Sequence, residues 1–309
     1  MLKKSISNKK IRGHMQIKIA KFSGFCYGVK RAIQILDKTI EESEKDHDVI
    51  AYTLGPIIHN YQVTEYYRRK GIKIIEKIED FIDNRRDNEK IIIRSHGAPE
   101  VVYQKATEKG IELIDATCPY VKKIQNTVSS YHIKGYNIIV VGDSNHPEVI
   151  GINGWCNNEA VVIKTLDDVT LVKEIDKPTC IVAQTTFNAV QWQRIVDELS
   201  GLLSNHVVHN TICLATSQRQ DACRELAGTV DVMIVIGDRH SSNTRKLVEI
   251  CSNIVKTIHI ETKNDLDVSE LTGNVKIGVT AGASTPDWII QSVILKIENE
   301  GEVFFDGKS

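Results

Sequence analysis

The chain has 309 residues, 41% of them hydrophobic and 26% charged, and a net charge of −1 at pH 7. Such a composition belongs to a globular protein with a large core, and the charge balance points away from nucleic acid or an anionic membrane as an obligate partner. No window approaches the ~18 consecutive apolar residues of a membrane span, and length alone suggests about two domains.

The first fourteen residues, MLKKSISNKKIRGH, are basic and lack the apolar stretch of a secretory signal. They read as a disordered extension, residues 1–14, with Met15 opening the folded part. Seven cysteines without a signal peptide imply a reducing cytoplasm, where thiols are free, structural or metal-bound.

MQIKIAKF (15–22) alternates polar and apolar residues, as a strand does. GFCYGVKRAIQIL (24–36) then sets Cys26 at the foot of a helix, with Val29, Ala32, Ile33 and Leu36 spaced as one apolar stripe. VIAYTLGPIIHN ends a strand in a loop carrying His59, and KIIIRSHGAPEVV ends another in a loop carrying His96. The strand–Cys–helix arrangement recurs in GIELIDATCPYVKKIQNTV (110–128), with Cys118 followed by Pro119 at a first helical position. After it come YNIIVVGDSNHPEVIG, with His146 and Glu148, and PTCIVAQTTFNAVQW, with Thr185. A third copy, HVVHNTICLATSQRQDACREL (206–226), holds Cys213. It precedes VDVMIVIGDRHSSNTRKLVEI, with Ser241, Ser242 and Asn243, and VKIGVTAGASTPDW, with Ser284.

Cys26, Cys118 and Cys213 lie 92 and 95 residues apart, so one local motif repeats at near-equal spacing. Fully apolar runs such as IIVVG and VMIVIG suit parallel sheets covered on both faces. The spacing predicts three α/β units: 15–117 with its N-terminal strand, 118–212 and 213–297, followed by a tail at 298–309. Each unit puts its polar loops at the carboxyl ends of its strands, where open α/β sheets bind ligands. No GxGxxG is present, and GEVFFDGKS ends the chain with five residues between its glycines rather than four, so it makes no P-loop.

Three thiols so far apart meet only if three units converge, each thiol arriving at the amino end of a helix. Their chemistry then suits zinc with a fourth ligand or an iron–sulfur cluster. Cys156, Cys180, Cys223 and Cys251 lack that setting and are assigned to packing.

The set GFCYGV, LGPIIHN, RSHG, DATCP, HPEV, QTT, HSSN and TAGAS resembles the 4-hydroxy-3-methylbut-2-enyl diphosphate reductase family, from about Met15 to residue 297. The resemblance implies a monomeric, cytoplasmic α/β protein of three pseudo-repeated units, trefoil-like, around a central 4Fe–4S cluster on Cys26, Cys118 and Cys213 with one open iron. It implies reductive dehydroxylation of an allylic diphosphate to isopentenyl and dimethylallyl diphosphates in the non-mevalonate pathway. Reduced ferredoxin or flavodoxin would supply the electrons. Glu148 becomes the candidate proton donor, since hydroxide leaves poorly without an acid. Thr185 and His146 stand beside it as catalytic candidates. His59, His96, His146, Thr185, Ser241, Ser242, Asn243 and Ser284 are the substrate-binding candidates, because neutral donors and helix amino ends bind phosphate without Lys or Arg.

Two alternatives remain at this stage. A quinolinate-synthase-like 4Fe–4S dehydratase shares the three-unit plan, but its carboxylate substrates would call for Arg pairs. A non-catalytic zinc protein could use the three cysteines and one histidine.

Overall fold

The computed structural model describes residues 14–45, 50–82, 89–172, 177–271, 275–300 and 302–305. The expected extension at 1–14 lies outside them apart from its last residue. Strand β1 (His14–Ile19) leads to helix α1 (Tyr27–Lys45). Next come β2 (Ile50–Leu54), α2 (Tyr61–Arg69), β3 (Lys73–Ile75), α3 (Ile78–Ile82), β4 (Glu89–Ile93), α4 (Glu100–Glu108) and β5 (Leu113–Asp115). The middle stretch holds α5 (Pro119–Ile133), β6 (Asn137–Val141), α6 (Pro147–Asn153), β7 (Val161–Ile163), β8 (Thr179–Ala183), α7 (Ala189–Leu202) and β9 (His206–His209). The last contains α8 (Leu214–Ala227), β10 (Val232–Ile236), α9 (Ser242–Ser252), β11 (Lys256–Ile260), β12 (Val275–Ala281), α10 (Asp287–Glu300) and β13 (Glu302–Phe305).

Two compact units result, Phe25–Ser217 and Met1–Gly24 with Gln218–Ser309. The first contains two four-stranded sheets, ordered β3-β2-β4-β5 and β7-β6-β8-β9, and the second a five-stranded sheet, β11-β10-β12-β1-β13. Among the described residues every pairing is parallel. The expected class, α/β with three repeated units, is what the chain forms.

The repeat has a sharper form than the sequence suggested. In each sheet three strands follow one order, and the fourth place goes to the next strand in the chain for the first two sheets. In the third that place goes to β1, which pairs with β12 through Met15–Val275 to Ile19–Val279. The N-terminal strand grouped with the first unit thus completes the third sheet. Glu302–Phe305, within the expected tail, adds β13 on its far side.

Alternation along the central strands explains why both faces are covered. Ile139 and Val141 enter one apolar cluster while Ile138 and Val140 enter another. Val232, Ile234 and Ile236 likewise part from Met233 and Val235. Successive side chains point to opposite faces, so a strand buried on both sides must be apolar throughout. The stripe of α1 behaves as expected: Val29, Ala32 and Leu36 are buried, packed in one cluster with Ile92 of β4. Among the described residues no helix is long and apolar enough to cross a membrane.

Candidate active site

The compact unit Phe25–Ser217 gathers three histidines from three post-strand loops. His59 follows β2, directly before Asn60, whose side chain caps α2 by accepting from Val63 N–H at 3.0 Å. His96 follows β4 in a loop tied to that of His59, because Ser95 donates both its N–H and its Oγ–H to Ile57 O. His146 is the N-cap of α6, and its Nδ1 accepts from Glu148 N–H at 3.1 Å. Ring centroids lie 4.5 Å apart for His59–His96, 5.2 Å for His59–His146 and 5.4 Å for His96–His146.

That arrangement fixes proton positions. Since His146 Nδ1 accepts, its neutral ring carries hydrogen on Nε2, which makes that nitrogen a donor. Burial, then the neighbouring His59, His146 and Arg94, hold His96 well below the usual imidazole range. Its Nδ1 is buried and has no hydrogen-bond partner.

Glu148 is 2% exposed, in the first turn of α6. Its Oε1 accepts Thr185 N–H at 2.6 Å and its Oε2 accepts Thr185 Oγ–H at 2.7 Å. Those two bonds favour the ionised form, but burial outweighs them and pushes the carboxyl up to about 6. Gln184 aligns the two loops involved: its Oε1 accepts Asp143 N–H at 3.1 Å and its Nε2 donates to Thr186 Oγ1 at 3.1 Å.

Two residues that sequence reasoning missed support this region. Gln125 is fully buried on α5 and donates to Ala98 O at 3.4 Å, just beyond His96. The approach is so close that a Cβ on Gly97 (φ +74°) would lie 2.3 Å from Gln125 Nε2. Only glycine fits there. A signal existed, because Gln125 interrupts the otherwise apolar stripe Val121, Ile124 and Val128. Gln184, quoted within QTT but given no role, is the second.

The expected cofactor must be corrected. Among the described residues, the His, Cys, Asp and Glu group whose ligand atoms converge closely enough to hold a metal ion is His59, His96 and His146, all within 4.8 Å of one another. The three-cysteine 4Fe–4S site expected on Cys26, Cys118 and Cys213 is not that group, and neither is a Cys3His zinc site. Cys118 N-caps α5, as the sequence implied, and Cys213 N–H donates to Thr185 O at 3.0 Å. The helix-start N–H groups of Tyr120 and Val121 do reach the Cys118 thiol, yet burial pushes it up to about 11. Burial also raises Cys213 against the N–H groups of Ala215 and Thr216. At Cys118 and Cys213 desolvation therefore wins over the helix amino ends.

The compact unit that contains Gln218–Ser309 carries its own polar turn. Ser241 N-caps α9, accepting Thr244 N–H at 3.4 Å, and Ser284 Oγ donates to Ser241 Oγ at 3.4 Å. Ser242 opens the helix. Asn243 is 3% exposed, and neither Oδ1 nor Nδ2 has a hydrogen-bond partner. A buried amide left unpaired on both atoms is costly and marks a place that a polar ligand would satisfy.

Residues 17–298 match the family model described as LytB protein. A 4-hydroxy-3-methylbut-2-enyl diphosphate reductase from Clostridioides difficile is 50% identical over 286 residues, covering 92% of this chain and 100% of that protein. A reductase of the same description from a Thermoanaerobacter species is 48% identical over 284 residues, 92% of this chain and 96% of its own. One solved structure, of (E)-4-hydroxy-3-methyl-but-2-enyl diphosphate reductase, the terminal enzyme of the non-mevalonate pathway, is 42% identical with a TM-score of 0.66, covering 92% of this chain and 99% of that one. The E-1-hydroxy-2-methyl-but-2-enyl-4-diphosphate reductase from Plasmodium falciparum has a TM-score of 0.83 at 30% identity, covering 96% and 93%. With a family model spanning nearly the whole folded chain and relatives this similar, the chain belongs to the LytB protein family of 4-hydroxy-3-methylbut-2-enyl diphosphate reductases.

Proposed function

We propose a division of labour for the reaction that this oxidoreductase catalyses, the reduction of 4-hydroxy-3-methylbut-2-enyl diphosphate to isopentenyl and dimethylallyl diphosphates. The allylic C–O bond breaks, two electrons and two protons are consumed, and the hydroxyl oxygen departs as water. Glu148 is the acid that protonates that oxygen. Its carboxyl, held at about 6, is poised to release a proton near neutral pH. Thr185 is the relay: when Glu148 is protonated it donates to Thr185 Oγ, and the threonine hydroxyl hydrogen is freed for the substrate oxygen. The observation that carries this reading is the buried Glu148–Thr185 pair, joined through the Glu148 N–H to the three-histidine group.

His59, His96 and His146 receive diphosphate oxygens, with His146 Nε2–H as a fixed donor. In the other unit Ser241, Ser242, Asn243 and Ser284 offer hydroxyl and amide donors of the kind phosphate accepts. Electrons come from an external carrier, reduced ferredoxin or flavodoxin, and the protein works in the cytoplasm. A second reading, favoured by the convergence of three imidazoles, places a divalent metal ion on His59, His96 and His146. The His146 tautomer argues for an anion instead, because its Nε2 presents a hydrogen rather than a lone pair.

Replacing Glu148 by Gln keeps the size and the bond from Thr185 N–H but removes the acid. Substrate should still bind while turnover falls by ~100-fold or more, the usual loss for a general acid. Turnover at the wild-type rate would move the acid elsewhere.

A further inference from the structure

Cys223 and Cys251, assigned to packing by their helical settings, are brought together by the fold. Cys223 lies on α8 and Cys251 on α9, both 0% exposed, within an apolar cluster that includes Ala227, Met233, Val235 and Leu247. Their sulfurs are 2.8 Å apart, within about 1 Å of a disulfide bond length. Cys156, equally buried, donates instead to Asn153 O at 3.2 Å. The pairing of 223 with 251 is therefore specific, not a general property of buried thiols in this chain.

We propose that Cys223 and Cys251 form a modification site, a dithiol that closes reversibly to a disulfide when hydrogen peroxide reaches it and thereby ties α8 to α9. One sulfur attacks a peroxide oxygen, the O–O bond breaks, and a sulfenic acid and water result. The second sulfur displaces the hydroxyl from the first, the S–S bond forms, and a second water leaves. Both thiol protons end in water, the two sulfurs together lose two electrons, and the peroxide gains them. Adjacency matters because a sulfenic acid with a thiol in contact is captured before it oxidises further. The hydrogen bond to Cys251, and burial after it, push the Cys223 thiol far up. Both sulfurs are fully buried, so closure is limited by opening between the two helices.

The test uses the full chain, purified without oxygen, freed of reductant and exposed to limiting peroxide. Digestion without reduction should yield a linked peptide pair containing Cys223 and Cys251, lighter by two hydrogens and separated again by dithiothreitol. In Cys223→Ala, Cys251 should instead gain oxygen atoms, and in Cys251→Ala so should Cys223. Peroxide that leaves both as free thiols while oxidising other cysteines overturns the proposal. So does a link from either one to Cys156 or Cys180. The wild-type peptide map decides the matter even if a variant fails to fold.

Discussion

The polar turns of the two units solve similar problems with different chemistry. In Phe25–Ser217 the turn residues are three imidazoles and a carboxyl, all titratable, with His146 and Glu148 buried and His59 and His96 half-buried. In the other unit they are Ser241, Asn243 and Ser284, none of which titrates near neutrality. Both are costly to bury: the first because charge is desolvated, as at Glu148, and the second because the Asn243 amide atoms are left unpaired. Function is therefore legible as local instability in both. Only in the first unit should pH be able to adjust it.

The largest consequence concerns that asymmetry. If Glu148 must be protonated to act, kcat/KM should fall as pH rises through about 6, approaching tenfold per pH unit. The comparison would be broken by a flat profile from about pH 6 to about pH 8, or by a fall that persists unchanged in Glu148→Gln.

Asn243→Ala sharpens the other side. A hydrogen bond to a charged group contributes roughly 1.5–3 kcal/mol, so KM should rise by about tenfold or more with kcat much less affected. Because the change deletes two unpaired buried atoms, thermal stability should hold or rise. A variant that loses stability and keeps its KM would make Asn243 an ordinary structural residue. The ratio of the KM values should also stay constant with pH, unlike the effect of Glu148.

How much of this the sequence contained depended on how local each determinant was. The α1 stripe, the central strand runs and Pro119 at the start of α5 were readable because a few neighbouring residues decide them. The place of β1 in the third sheet was not, since choosing a parallel partner some 260 residues away depends on packing that no local pattern carries. Each histidine was visible as a loop residue at a strand end, but their mutual approach depends on how the loops of two sheets align. The cysteine spacing was read correctly as a repeat, yet the competition between helix-start N–H groups and burial at Cys118 has no sequence signature. Cys223 and Cys251 carry the same lesson, because helical periodicity marks each as buried without indicating that they face each other.

The smallest expected effect is also the cleanest measure of what burying the acid costs. The folded chain holds the Glu148 proton at about 6 against an ordinary 4.5, so it binds that proton more tightly than the unfolded chain. The stability linked to it is fully present below about 4.5 and is lost as pH rises through about 6. A gap of about 1.5 in pKa corresponds to roughly 2 kcal/mol. Glu148→Gln does not titrate, and its amide can still accept from Thr185 N–H and donate to Thr185 Oγ. Relative to wild type the variant should therefore gain stability across that window and plateau above it, reaching roughly 2 kcal/mol. Denaturant midpoints measured from about pH 4 to about pH 8 would show it. A constant offset between the two proteins would mean that Glu148 is not held above its ordinary value, and the proton-donor role would lose its physical basis.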